Sequence, residues 1–150
     1  MNDQPNLRQF LDEIGSFTEE TAASAPVVKG EKLPAIGKVL EIAGSGSKIC
    51  MDARQLLALQ SHSDPSIAMS GQVGSQVKMI VGSSWLIANV RTMRADESGE
   101  ILASVDFLGE GTRDSGGRMS NFRRGVTRYP IPGCEVYAVS TEDMRAIFAA

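Results

Sequence analysis

The sequence is poor in the side chains on which most catalytic and metal sites depend. It contains one histidine, His62, and two cysteines, Cys50 and Cys134. No serine or cysteine nucleophile pattern accompanies His62, and potential metal ligands do not cluster at a spacing typical of a metal site. The sequence therefore predicts no catalytic residue, no cofactor-binding residue and no metal ligand in this chain. We expect that the chain is not an enzyme on its own.

Long apolar runs are also missing. No stretch approaches the ~20 residues that a membrane-spanning helix needs, and residues 1–7 are polar, without the basic and apolar regions of a secretory signal. In the absence of an export signal, the two cysteines favour a pair of buried, reduced thiols over a disulfide. We therefore expect a cytoplasmic protein with no membrane partner.

A phosphate-binding loop is absent as well. Residues 44–48 read Gly-Ser-Gly-Ser-Lys, which shares its glycines and lysine with such a loop. The loop requires G-x-x-x-x-G-K-[ST], because a hydroxyl after the lysine holds magnesium, whereas Ile49 follows Lys48 here. The pattern is that of a β-turn.

The strongest pattern that is present is an alternation of apolar and polar residues over residues 76–109. A period of two is typical of β-strands, and the two breaks at residues 82–84 and 95–99 are rich in turn residues. Gly82 has the conformational freedom that a tight hairpin needs. The pattern predicts three consecutive antiparallel strands. We expect their inward-facing side chains to be mostly Val77, Met79, Val81, Leu86, Ala88, Val90 and Phe107.

Further strands are predicted at residues 36–43, 48–52 and 134–139, with a short helix over residues 53–60 that Asp52 caps. Six short strands favour a closed barrel, because closure removes exposed sheet edges. The predicted fold is mainly β: a six-stranded antiparallel β-barrel over residues 33–140, with short N- and C-terminal helices. Residues 1–32 are expected to be a helical or flexible extension. Ser140 and Asp143 predict the start of a helix over residues 141–150 that leads out of the barrel.

Arginines concentrate after the last of the three consecutive strands that are predicted over residues 76–109. Residues 111–120 are rich in glycine and are expected to form a mobile loop, and residues 121–132 form what we call the basic segment. Pro130 and Pro132 exclude a central strand there, so a stiff connection to the last strand is predicted. The candidates for contact with a partner or with DNA are Arg123, Arg124, Arg128 and Tyr129.

Two interpretations of the basic segment remain open. Guanidinium groups bind phosphates and aromatic rings stack on bases, so the segment is compatible with DNA. The same groups pair equally well with carboxylates of a neighbouring subunit. The net charge of −3 argues against indiscriminate nucleic-acid binding by the whole domain and favours the second interpretation.

Two other pairs of residues are weaker candidates for a functional site. Asp106 and Glu110 lie at even spacing on one predicted strand and so share a face, where they form either an acid–base pair or the solvated side of a barrel strand. Trp85 and Phe107 are the rings available on strands for stacking in an oligonucleotide-binding barrel.

Three segments, residues 36–44, 71–82 and 122–137, together resemble the N-terminal HAS-barrel of HerA-type ATPases. They follow that family's order of an "IG-V" strand, a "VGS-V-I-VG" strand and an "RGV--YP--G--V" segment. The resemblance implies a barrel like those at the N-termini of rotary ATP synthase subunits. The barrel would crown a homohexameric DNA translocase or helicase.

The same resemblance implies the partners. They are a NurA-type nuclease and DNA that passes through the assembled ring, in DNA repair or in phage defence. ATP and magnesium are expected only in a motor domain outside this segment, because the chain has neither Walker motif. The alternatives are a stand-alone adaptor, an oligonucleotide-binding barrel and a small enzyme that uses Asp106, Glu110 and His62.

Overall fold

The structure, a computed structural model, describes residues 33–149. Within this range the chain forms seven β-strands and three short α-helices. In chain order they are β1 (Gly37–Ala43), β2 (Gly46–Met51), α1 (Ala53–Leu59), α2 (Pro65–Ala68), β3 (Gln76–Val81), β4 (Ser84–Ala95), β5 (Ile101–Arg113), β6 (Met119–Arg124), β7 (Glu135–Ala138) and α3 (Thr141–Phe148). The predicted N-terminal extension, residues 1–32, lies outside the described residues.

Six of the strands close into a barrel. Their order is β2-β1-β7-β3-β4-β5, and β2 pairs with β5 to complete the circle. Every pairing is antiparallel. The predicted six-stranded antiparallel barrel is confirmed. The seventh strand, β6, lies outside the barrel and pairs with the end of β5.

The inner faces of the strands form the main hydrophobic core. Five of the seven predicted core residues are fully buried there, and Val81 and Phe107 are partly buried against them. Burial of each such side chain stabilises the fold by about 1.5–3 kcal/mol. The prediction of the inward face is therefore confirmed. The five are Val77, Met79, Leu86, Ala88 and Val90.

A second apolar cluster lies on the outer face of the barrel wall. Trp85 and Ile87 of β4 point outward and are buried beneath Met119 of β6 and Ile147 of α3. The indole N–H of Trp85 also donates to the carbonyl oxygen of Gly117, at 2.8 Å. The helix α3 thus lies against the barrel wall, and its amphipathic sequence supplies the apolar side that this wall requires.

The helices begin where the sequence places a capping residue. Asp52 caps α1 by accepting from the backbone N–H of Arg54, at 2.8 Å. Ser140 and Asp143 form the predicted capping box of α3. A further short helix, α2, lies between α1 and β3, where Asp64 caps it and Pro65 opens it.

The glycine-rich stretch over residues 111–120, which was predicted to be a mobile loop, is part of the hairpin formed by β5 and β6. Its ends belong to β5 and β6, and Asp114 closes the turn between them by accepting from the N–H groups of Gly116 and Arg118, both at 2.9 Å. Gly109 and Gly111 allow a close approach, because an added Cβ at either position would collide with β6. These glycines signal strand packing rather than flexibility.

Candidate functional site

The basic segment consists of two structurally different parts. Arg123 and Arg124 end the edge strand β6, whereas Arg128 and Tyr129 lie in the following loop. The prediction of a stiff connection throughout is therefore wrong for the first part, which is a strand. The exclusion of a central strand holds, because β6 pairs only with β5 among the described residues. All four candidates are exposed to solvent.

Glu110 anchors the loop to the barrel. Its buried carboxylate accepts from the backbone N–H of Thr127, at 2.6 Å, and from the Thr127 hydroxyl, at 2.9 Å. Arg123 Nη2 lies 3.9 Å from the same carboxylate. The N–H of Thr127, followed by its hydroxyl and the charge of Arg123, holds the pKa of Glu110 below its usual value. A stable negative charge thus fixes the start of the loop.

Glu110 and Asp106 do not share a strand face, so they form neither the common solvated face nor the acid–base pair that the sequence allowed. The ladder between β4 and β5 skips Leu108, because Ala88 pairs with Phe107 and Ile87 pairs with Gly109. This bulge reverses the alternation. Asp106 therefore points outward, 3.4 Å from Arg91, while Glu110 points to the inner face.

Two arginines converge on the turn between β3 and β4. Gly82 has φ +61°, as the hairpin prediction requires. Its carbonyl oxygen accepts from Arg113 Nη2, at 3.1 Å. The guanidinium group of Arg128 lies against the other side of this glycine, since a Cβ there would be 2.7 Å from Arg128 Nη1. The basic segment, β5 and the β3–β4 turn therefore meet at one end of the barrel.

The aromatic and apolar side chains of the loop close this end. Tyr129 packs on Phe107, with 5.7 Å between ring centroids, and Val126 contacts the barrel core. Trp85 is only 5% exposed and faces the opposite side of the wall from Phe107. The two rings proposed as a stacking surface are thus not brought together. Tyr129 remains half exposed beside Arg128.

The charges are distributed unevenly between the barrel and the residues that precede it. Residues 1–32 carry six acidic and three basic side chains, whereas residues 33–150 carry twelve of each sign. The net charge of −3 therefore arises before the barrel, and the barrel sequence itself is neutral. Its arginine-rich end is a local positive surface that the net charge of the chain conceals.

Of the remaining candidates from the sequence, His62 and Cys50 are separate from this end, whereas the Cys134 thiol donates to the carbonyl oxygen of Ile80, near the β3–β4 turn, at 3.4 Å. His62 Nδ1 accepts from the backbone N–H of Asp64, at 3.0 Å. Cys50 and Cys134 are free, half-buried thiols, and burial followed by the Glu100 carboxylate raises the pKa of Cys50 to about 11. Among residues 33–149, no three histidine, cysteine or acidic side chains are grouped as metal ligands, and no helix could cross a membrane.

The sequence did not identify Glu110 as an anchor or link Arg113 to Gly82. Both assignments depend on the bulge at Leu108, which a simple alternation does not reveal. No protein-family model matches the chain, and no curated protein matches it either.

Proposed function

We propose that this chain is the non-catalytic N-terminal barrel of a HerA-like, hexameric, ATP-driven DNA translocase. In this proposal the barrel serves ring assembly and the docking of a partner nuclease. Arg123 and Arg124 at the end of β6, with Arg128 and Tyr129 in the loop, form the contact surface for carboxylates of a neighbouring subunit or of the nuclease.

One observation carries the proposal. The three segments that resemble the HerA family are far apart in the sequence, yet they contain β1, β3 and β7, which are neighbours in the order β1-β7-β3. The third segment also contains the loop that Glu110 anchors. Most of the resemblance therefore lies on three adjacent strands of the barrel, which supports one common pattern rather than three unrelated short matches.

The anchored loop supports a docking role in particular. A surface that is fixed before binding loses less conformational entropy when its partner arrives. Arg124 makes no ion pair within residues 33–149, and Arg123 is 73% exposed. Both guanidinium groups are thus available for bidentate bonds to carboxylates.

The first test reads the coding sequence that follows residue 150. The proposal expects a strand and a G-x-x-x-x-G-K-[ST] loop within the next ~50 codons, because the motor domain needs a phosphate-binding loop. A stop codon at that point contradicts the motor assignment and favours a stand-alone adaptor.

The second test replaces Arg123 and Arg124 together by alanine. We expect a smaller oligomer in analytical ultracentrifugation, or loss of the nuclease, with unchanged affinity for DNA. The matched control replaces Arg54 and Arg94, two exposed arginines at the opposite end of the barrel, and should change neither property. Loss of DNA affinity with intact assembly would instead assign these arginines to nucleic acid.

A further inference from the structure

The β3–β4 turn brings two like charges against one residue without a local counter-charge. Arg113 donates to the carbonyl oxygen of Gly82, and the guanidinium group of Arg128 lies against the same glycine. Neither arginine forms an ion pair within residues 33–149. Two guanidinium groups held near one residue disfavour each other's charge, and an anion between them would remove this cost.

The carboxylate of Glu110, which anchors the loop that carries Arg128, is already occupied. Glu110 accepts from the N–H and hydroxyl of Thr127, and its remaining charge faces Arg123. Its lone pairs are therefore committed to donors of the loop rather than to the guanidinium groups of Arg113 or Arg128. The positive charge at the turn needs a partner from outside these residues.

One donor of Arg113 is unused. The Nε–H group of Arg113 is buried and has no hydrogen-bond partner within residues 33–149. A buried guanidinium donor without an acceptor is costly, so an acceptor at this position would stabilise the fold. The hydroxyl groups of Ser83 and Ser84 follow Gly82 directly and are further donors on the same turn.

We propose that Arg113 and Arg128 form a binding site for a phosphate-type oxyanion at the Gly82 turn. A tetrahedral oxyanion has several acceptor oxygens, so it can bridge two guanidinium groups and accept from the turn hydroxyls. The absence of a side chain at Gly82 leaves room for Arg128. The site shares Arg128 with the proposed docking surface but does not use Arg123 or Arg124, so its test does not depend on the assignment to a translocase.

The test compares inorganic phosphate with chloride at equal ionic strength. Phosphate is expected to raise the midpoint of thermal unfolding above that in chloride, because a ligand that binds only the folded state stabilises it. Arg113→Gln and Arg128→Gln should each weaken the apparent affinity for phosphate about tenfold or more, since each removes a charge-assisted hydrogen bond. Arg54→Gln, at the other end of the barrel, is the matched control and should keep the full effect.

A second measurement does not depend on the stability of the variants. In the wild-type chain, phosphate should shift the amide NMR resonances of Gly82, Ser83 and Arg113 before those of Arg54. Equal midpoints in phosphate and chloride, or a phosphate effect that persists in both variants, overturns the proposal. Shifts spread evenly over the exposed arginines overturn it too.

The source of the phosphate is decided by a second probe, a twelve-residue thymidine oligonucleotide. Binding that is tighter than that of inorganic phosphate, lost in both variants and steeply weakened by salt identifies a nucleic-acid backbone. Binding no tighter than that of phosphate, with the same loss in the variants, identifies a small phosphorylated molecule. Oligonucleotide binding that both variants retain contradicts the site.

Discussion

Asp64 and Thr141, 77 residues apart in the chain, are joined by a hydrogen bond of 2.6 Å from the Thr141 hydroxyl to the Asp64 carboxylate. The same carboxylate accepts from the backbone N–H groups of Thr141 and Ser66. One side chain thus caps α2 and also satisfies the first turn of α3. It ties the segment after β2 to the helix that lies on the barrel wall.

This double role predicts an unequal effect of two aspartate substitutions. Asp52 caps only α1, so Asp52→Ala should lower the free energy of unfolding by about 1 kcal/mol. Asp64→Ala should cost about 2–3 kcal/mol, because it removes a cap and the bonds from Thr141 together. Urea unfolding of both variants measures the difference. Equal losses would mean that the contact with Thr141 contributes nothing to stability.

Replacement of Glu110 by glutamine is expected to loosen the loop that follows β6. Glutamine offers one acceptor oxygen in place of two and has no charge for Arg123, so we expect a loss of about 2 kcal/mol at neutral pH. Urea unfolding with the exposed Glu97→Gln as the control measures this loss.

The loss should depend on pH in a defined direction. The folded-state pKa of Glu110 is below its ordinary value of 4.5, chiefly because the Thr127 N–H donates to the carboxylate. Its stabilising contribution is therefore complete above the unfolded-state pKa and disappears as the pH falls through the folded-state pKa. The difference in the free energy of unfolding between wild type and Glu110→Gln should shrink below pH 4.5. A difference that is constant with pH would contradict the anchoring role of the charge.

Lys78→Met should destabilise the junction between the barrel wall and α3. Lys78 Nζ lies 2.7 Å from Asp143 and 4.2 Å from the centre of the Trp85 ring, and both charged side chains are largely buried. The substitution leaves the carboxylate without its counter-charge, so we expect a loss of about 3 kcal/mol. The exposed Lys48→Met serves as the control, with an effect within about 0.5 kcal/mol.

The double variant Lys78→Met/Asp143→Asn measures the interaction between the two charges. Because both charges are then absent, we expect it to lose less than the two single variants lose together. If the double variant loses as much free energy of unfolding as the two single variants together, the two charges do not interact.

Gly109→Ala should separate β6 from β5. A Cβ there would lie 2.6 Å from the Phe122 ring and closer still to the backbone of Arg123. Overpacking of this kind costs about 1–3 kcal/mol, and we expect the upper end because backbone cannot move aside like a side chain. Gly116→Ala, in the turn of the same hairpin, meets only Asp114 Oδ1 at 3.4 Å and should be nearly neutral. Similar stabilities of the two variants would contradict the close approach.

The sequence predicted the barrel because its strongest signal coincides with its most buried strands. In β3, and in β4 as far as Val90, every second residue faces the core, so Val77 and Leu86 were assigned correctly even though Trp85 and Ile87 on the outer face are apolar too. The predicted caps at Asp52 and Ser140 are local, and short-range hydrogen bonds decide them.

The predictions failed where long-range contacts override the local pattern. The bulge at Leu108 places Glu110 on the inner face, and only the pairing with β4 determines this position. The edge strand β6 contains Ser, Asn and two arginines, which are not typical of strands. It forms because Phe122 and Met119 pack over the glycines of β5, a contact that the pattern of apolar and polar residues does not reveal. Asp64 followed by Pro65, by contrast, is a local signal that could have revealed α2.

The position of β7 has a consequence for how the chain folds. This strand lies between β1 and β3, and its Val136 pairs with Gly37, the start of the first strand. The neighbouring hairpins β1–β2 and β3–β4 can form as the chain leaves the ribosome, but the circle stays open until residues 135–138 emerge. Until then β1 and β3 each expose an unpaired edge, which is the state most prone to association with other strands. Closure is thus a late step that joins distant parts of the sequence, and we expect it to limit the folding rate.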